Sequence, residues 1–129
     1  MNKTEIGRLG EDAVCKYLTD RGYTIVERNY RIKGGEIDII ADNGDYIAFV
    51  EVKSRKPDSM VSGFEAVNKR KRSLIIKTAA DYCCKHPNML QPRFDVAQVI
   101  ISGEKVLSID YITQKVRFSA HERRLPPLH

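Results

Sequence analysis

Within the stretch GGEIDIIADNGDYIAFVEVKSRK at residues 34–56, four side chains, Glu36, Asp38, Glu51 and Lys53, are charged where a half-buried hairpin prefers apolar residues. Asn43-Gly44 lies between alternating apolar residues, a strong signal for a two-residue hairpin turn. With that pair at the turn's centre, Asp42 faces Asp45, Asp38 faces Phe49 and Glu36 faces Glu51. Asp38 and Glu51 then become diagonal neighbours on one face, about 7–8 Å apart along the backbone. Lys53 joins them, because side chains two apart in a strand share a face. Ile37, Ile39, Ala41, Ala48, Val50 and Val52 sort to the other face as core. Clustered carboxylates repel unless a cation sits between them or one takes a proton. Mg²⁺ or Mn²⁺ meets that need, since hard cations take one or two carboxylates and complete their shell with waters and phosphate oxygens. A metal so held activates water and polarises a phosphoryl group, while a neighbouring lysine stabilises developing negative charge. The chemistry this pattern suits is phosphodiester hydrolysis.

The elements that position these groups are legible from periodicity and punctuation. Ile6, Leu9, Ala13, Val14, Tyr17 and Leu18 recur at helical spacing over residues 3–21, with Asn2 and Glu5 placed as a capping pair and Gly22 just past the end. Glu11 lies on the flank of that stripe, and Gly7 and Gly10 suggest close backbone approach to the sheet or to a ligand. Strands are expected at 23–32, 36–42 and 45–53, and a loop at 54–63. A second helix is expected at 65–85, followed by strands at 93–101 and 105–112. The order helix, three strands, helix, two strands predicts a mixed sheet covered on both faces. Residues 1–115 read as one domain and 116–129 as a C-terminal tail.

Charge points to a polyanionic partner. The net charge is +5, yet residues 53–77 alone hold eight Lys and Arg against two acids. Lys69, Arg70, Lys71 and Arg72 spread around the second helix, with Lys71 nearest its buried side. Together with Arg31 and Arg55 they are candidates for phosphate-backbone contacts. Arg93 and Asp95, flanking Phe94, read as a structural ion pair. Three cysteines without a CxxC pair fit a reduced compartment, and Cys83 and His86 lack the second pair a zinc site needs. No apolar run approaches membrane-span length and no signal core is present, so a cytoplasmic protein is expected.

Asp38 followed by Glu51-Val52-Lys53, with Glu11 upstream, resembles the D…ExK signature of the restriction-endonuclease-like nucleases, especially the archaeal Holliday-junction resolvases. The blocks GRLGEDAVCKYL, RNYR, GEIDII, FVEVKSR and RFDV, with the basic helix, further resemble the YraN family of uncharacterised bacterial proteins, described as predicted endonucleases. That likeness spans residues 7–99. It implies an α/β fold, a restriction-endonuclease-like mixed β-sheet flanked by helices. Carried over by position, it implies metal ligation by Asp38 and Glu51 with the Val52 carbonyl as a third ligand. Lys53 would activate or hold the attacking water, and Glu11 would bind a second metal or a metal-bound water. Ile37 stands where the superfamily's name-giving motif has proline.

The expectation is therefore a Mg²⁺- or Mn²⁺-dependent endonuclease acting on DNA, with branched DNA the first substrate to try and a homodimer expected for a two-fold junction. Glu36 serves either as a further ligand or as a strand-end charge. The alternative is a non-catalytic nucleic-acid-binding module that keeps the nuclease fold. A pure binder gains nothing from carboxylates that repel phosphate, which favours the enzyme. A domain with no nucleic-acid partner is the third reading, and it lacks salt-dependent DNA affinity.

Overall fold

The structure is a computed structural model describing residues 2–57, 69–87 and 90–114. Helix α1, Lys3–Asp20, starts where expected: the Asn2 side chain accepts from the Glu5 N–H at 2.8 Å, and Glu5 Oε1 accepts from the Asn2 amide at 3.3 Å. Strands β1 (Thr24–Ile32), β2 (Gly35–Asp42) and β3 (Tyr46–Arg55) follow. Helix α2, Lys69–Lys85, then leads to β4 (Gln91–Ser102) and β5 (Lys105–Gln114). The expected tail at 116–129 and the part of the second helix before Lys69 lie outside the described residues.

All five strands form one sheet in the order β1-β2-β3-β4-β5, antiparallel throughout except for the parallel β3–β4 pair. A parallel pair cannot be closed by a hairpin, so the chain between β3 and β4 must cross over, and α2 lies in that connection. The mixed sheet with this order of elements is consistent with a restriction-endonuclease-like fold. No helix among the described residues is long and apolar enough to cross a membrane.

Each helix seals one face. Val14 and Leu18 of α1 pack on Ile39, Ala41, Ala48, Val50, Ala97, Val99 and Ile101. Ala79, Tyr82 and Cys83 of α2 pack on Ile37, Ile40, Ile47 and Phe49, and Ile75 packs on Phe94 and Val96. Ile37 therefore leaves the face the alternation assigned to it, and Asn29 supplies the local cause. It has φ +54 and stands opposite Asp38, between the Arg28↔Ile39 and Tyr30↔Ile37 pairs. Asn tolerates this left-handed conformation better than other non-glycine residues. Across it the strand changes faces: Arg28 reaches Asp12 of α1, whereas Tyr30 donates to Asp81 of α2 at 2.6 Å.

The hairpin turn is also shifted. Asn43 Oδ1 accepts from the N–H groups of Asp45 (3.0 Å) and Tyr46 (2.8 Å), and the Asn43 N–H donates to the Tyr46 carbonyl. Gly44 and Asp45 thus form the two-residue loop, with Gly44 at φ +94. Asp42 opposes Ile47 instead of Asp45, a slide of two residues. An even slide keeps every side chain on its face.

Of the two helix glycines, Gly10 makes the close approach: a Cβ there would come within 2.0 Å of Ser54 Oγ on β3. Gly7 meets nothing within 4 Å, so it does not press on the sheet; it lines the groove beside α1 instead. Gly10→Ala is expected to cost about 1–3 kcal/mol by overpacking, and adding Ser54→Ala should recover much of it. Gly7→Ala should gain up to about 1 kcal/mol of helix propensity. Urea denaturation of the wild type and these three variants measures both; equal effects of Gly10→Ala and Gly7→Ala would show that α1 does not press on β3 at Gly10.

Candidate active site at the parting of two strands

β2 and β3 pair only as far as Ile39↔Val50. Beyond that point β2 stays with β1 to Gly35, while β3 stays with β4 to Arg55, so the two central strands part. Backbone groups in the fork need new partners. The Asp38 carboxylate supplies one, accepting the Val52 N–H at 2.8 Å through Oδ2. A strand residue's N–H and C=O face the same neighbour, which turns the Val52 carbonyl toward the same gap.

Glu51 lies one position before Val52, on the α2 side. Its neighbours in β3 and β4 are Phe49, Lys53 and Val96, and its side chain is only 16% exposed. Oε1 is ion-paired with the Lys71 ammonium of α2, whereas Oε2 is buried with no hydrogen-bond partner among the described residues. A cavity of about 150 Å³ opens beside it, walled by Ile37, Phe49, Ile75 and Phe94. Lys53 shares the Glu51 face and stands in register with Gln98, whose buried Oε1 likewise has no hydrogen-bond partner among the described residues. Gln98 was not among the sequence candidates. The signal available was a lone amide inside the apolar run VAQVII.

The remaining candidates separate. Glu11 sits on the α1 side, 3.6 Å from the Arg28 guanidinium, in a groove of about 820 Å³ that also holds Lys3, Ser54, Arg55 and Lys56. Arg28 and Lys3 are additions that composition alone did not single out. Glu36 turns to Arg31, its partner across the β1–β2 ladder, at 3.3 Å. Two expected site residues thus meet each other at the surface. Arg70 and Arg72 are exposed on α2, and only the backbone of Lys69 is described. Among the described residues no three His, Cys, Asp or Glu side chains gather closely enough to hold a metal. What the fork offers is two carboxylates, Asp38 and Glu51. That donor set and the bare Glu51 Oε2 suit a hard divalent cation whose other positions are filled by water and phosphate.

Comparison with known proteins adds the family. The model of the uncharacterised protein family UPF0102 matches residues 10–99. A UPF0102 protein of Dictyoglomus thermophilum is 42% identical over 114 residues, covering 87% of this chain and 97% of that protein. One of Alkaliphilus metalliredigens is 46% identical over 108 residues, covering 83% and 93%. The chain belongs to the UPF0102 family. This is the YraN family that the sequence blocks resemble.

In this UPF0102 chain Asp38 is the electrostatically exceptional acid. Burial raises its carboxyl from 3.8 to about 6; the Val52 N–H opposes the rise, and the charges of Glu11, Glu51 and Glu36 add to it. The folded protein therefore holds this proton more tightly than the unfolded chain. The resulting stability is fully present below pH ~4 and is lost as pH rises through ~6. In metal-free buffer, Asp38→Asn is expected to match the wild type near pH 4 and to exceed it by about 2 kcal/mol near pH 8. Denaturant unfolding at both pH values tests this, and a difference independent of pH would show that Asp38 ionises as an ordinary acid.

Proposed function

We propose that the protein is a divalent-cation-dependent nuclease that hydrolyses phosphodiester bonds in DNA, with Mg²⁺ or Mn²⁺ held by Asp38 and Glu51. The observation that carries the reading is the fork itself. Where the two strands part, Asp38 accepts the Val52 N–H and feels the charge of Glu51, whose own Oε2 has no hydrogen-bond partner among the described residues, and Lys53 follows on the Glu51 face. Burying such acids destabilises a fold unless a cation or proton compensates them.

Each residue then has a task. Asp38 and Glu51 bind the cation, and the Val52 carbonyl faces the same gap as a third oxygen. Lys53 holds the attacking water and stabilises charge developing on the phosphoryl oxygens. The cation supplies Lewis acidity and a water of lowered pKa. Glu11, on the opposite side of β3, orients a water from the α1 groove. Arg55 and Lys56 in that groove, and Arg70, Lys71 and Arg72 on α2, take backbone phosphates. Branched DNA is the substrate to try first, and a homodimer would present two forks to a two-fold junction.

A second reading is favoured by the ion pair between Lys71 and Glu51, which already neutralises one of the two acids. On that reading the chain binds nucleic acid without cutting it.

Calorimetric titration of Mn²⁺, followed by cleavage assays on linear, nicked and four-way DNA, separates the two. The nuclease reading expects metal uptake and metal-dependent cleavage by the wild type, with both lost in Asp38→Asn. Lys53→Met should keep the metal and lose about 10²–10³ in cleavage rate. Because protons and metal compete for Asp38, Mn²⁺ affinity should rise as pH is raised through ~6. DNA binding by the wild type without metal uptake or cleavage would establish the binding module.

A further inference from the structure

We infer that Lys71 gates the site: its ammonium occupies Glu51 in the free protein, and a backbone phosphate of bound DNA draws it away, opening Glu51 to the divalent cation. The inference rests on the nuclease reading and adds its regulation.

Glu51 and Lys71 are unequally held. The Glu51 carboxylate is fixed on the sheet between Phe49 and Lys53, largely shielded from water, and Lys71 Nζ takes only one of its two oxygens. Lys71 is 46% exposed, on the first described turn of α2, and its four-carbon stem lets the ammonium swing without moving the helix. Phosphate can therefore reach this lysine from solvent while Glu51 stays in place.

The surroundings favour the exchange. Residues 69–72 are four consecutive cations, and no acid lies in that turn. Like charges crowded on one helical turn repel, so an incoming anion relieves the mutual repulsion of Arg70, Lys71 and Arg72. Once Lys71 turns to phosphate, Glu51 is left with two bare oxygens on an apolar floor formed by Phe49, Phe94 and Val96. A buried carboxylate without a partner is costly, and a hard cation is the partner that removes the cost.

Two pairwise competitions fix the sign of the coupling. Metal and Lys71 compete for Glu51, and Glu51 and phosphate compete for Lys71. Phosphate and metal therefore help one another, and linkage makes the help reciprocal. The gate keeps the cation from settling before DNA is present.

The test is calorimetric titration of Mn²⁺ into wild type, Lys71→Met, Lys71→Arg and Asp38→Asn, each alone and with a short DNA duplex, after thermal unfolding confirms that all four fold. Lys71→Met should bind Mn²⁺ about tenfold more tightly than wild type without DNA, within the usual span of such couplings. DNA should tighten Mn²⁺ binding in the wild type and in Lys71→Arg, and much less in Lys71→Met. If Asp38→Asn loses Mn²⁺ but Lys71→Met alone binds it no tighter than wild type, the metal site stands and the gate is overturned. If Asp38→Asn binds Mn²⁺ as the wild type does, the nuclease reading fails and the gate falls with it.

Discussion

The parting of β2 and β3 after Ile39↔Val50 is the constraint on which the rest of the molecule depends. A continuous hairpin would have satisfied Val52 from the backbone of β2 and left no gap. Instead a carboxylate stands in for a carbonyl, and the Val52 N–H donates to Asp38 at 2.8 Å. Such a replacement is stable only where the side chain lies in the plane of the sheet. The left-handed turn at Asn29 makes that possible, because the face change from Arg28 to Tyr30 in β1 is matched in β2 by the change from Ile39 to Ile37. Asp38, between those two residues, turns sideways toward β3.

The fork is held from both sides. α1 seats on the sheet through Gly10 against Ser54 and brings Glu11 to one side of β3. α2 lies in the connection demanded by the parallel β3–β4 pair, so the topology that closes the sheet also carries Lys71 to Glu51. It crosses the sheet over Gly35, where a Cβ would lie 2.1 Å from Thr78 Oγ1. The far end of β4 is pinned separately. Arg93 grips Asp95 through Nε and Nη2 at 2.9 and 2.8 Å, and Tyr111 donates to the same carboxylate.

Much of this was legible in the sequence because it is written in periodicity. Helical spacing located α1 and the buried stripe of α2, and alternation located the strands with their mixed order. The Asn2–Glu5 cap and the Arg93–Asp95 pair followed from residue type at fixed spacing. The hairpin register did not, because Asn43 spends its side chain on the N–H groups of Asp45 and Tyr46 and moves the loop one position onward. The slide leaves faces unchanged, so grouping Glu51 with Lys53 survived while the opposed pairs did not. The pairing of Glu36 with Arg31 depends on the β1–β2 register, which no local pattern announced. The face change at Asn29 was equally hidden, since a single left-handed residue leaves no mark on hydrophobic periodicity.

Two acids of the same sheet, Asp95 buried and Asp38 half-buried, show why one is structural and the other a candidate for chemistry. Asp95 receives a guanidinium through two nitrogens and a tyrosine hydroxyl, so its charge is matched where it lies. A network satisfied to that degree rigidifies a core and leaves nothing over for a ligand. Asp38 has one backbone N–H against burial and three neighbouring glutamates, and its proton affinity rises accordingly. Glu51 sits near it with one oxygen on a half-exposed lysine and the other bare. Residues that break local rules without internal compensation are those whose compensation comes from outside the chain. On the nuclease reading proposed above, that compensation is a small divalent cation that takes oxygen ligands.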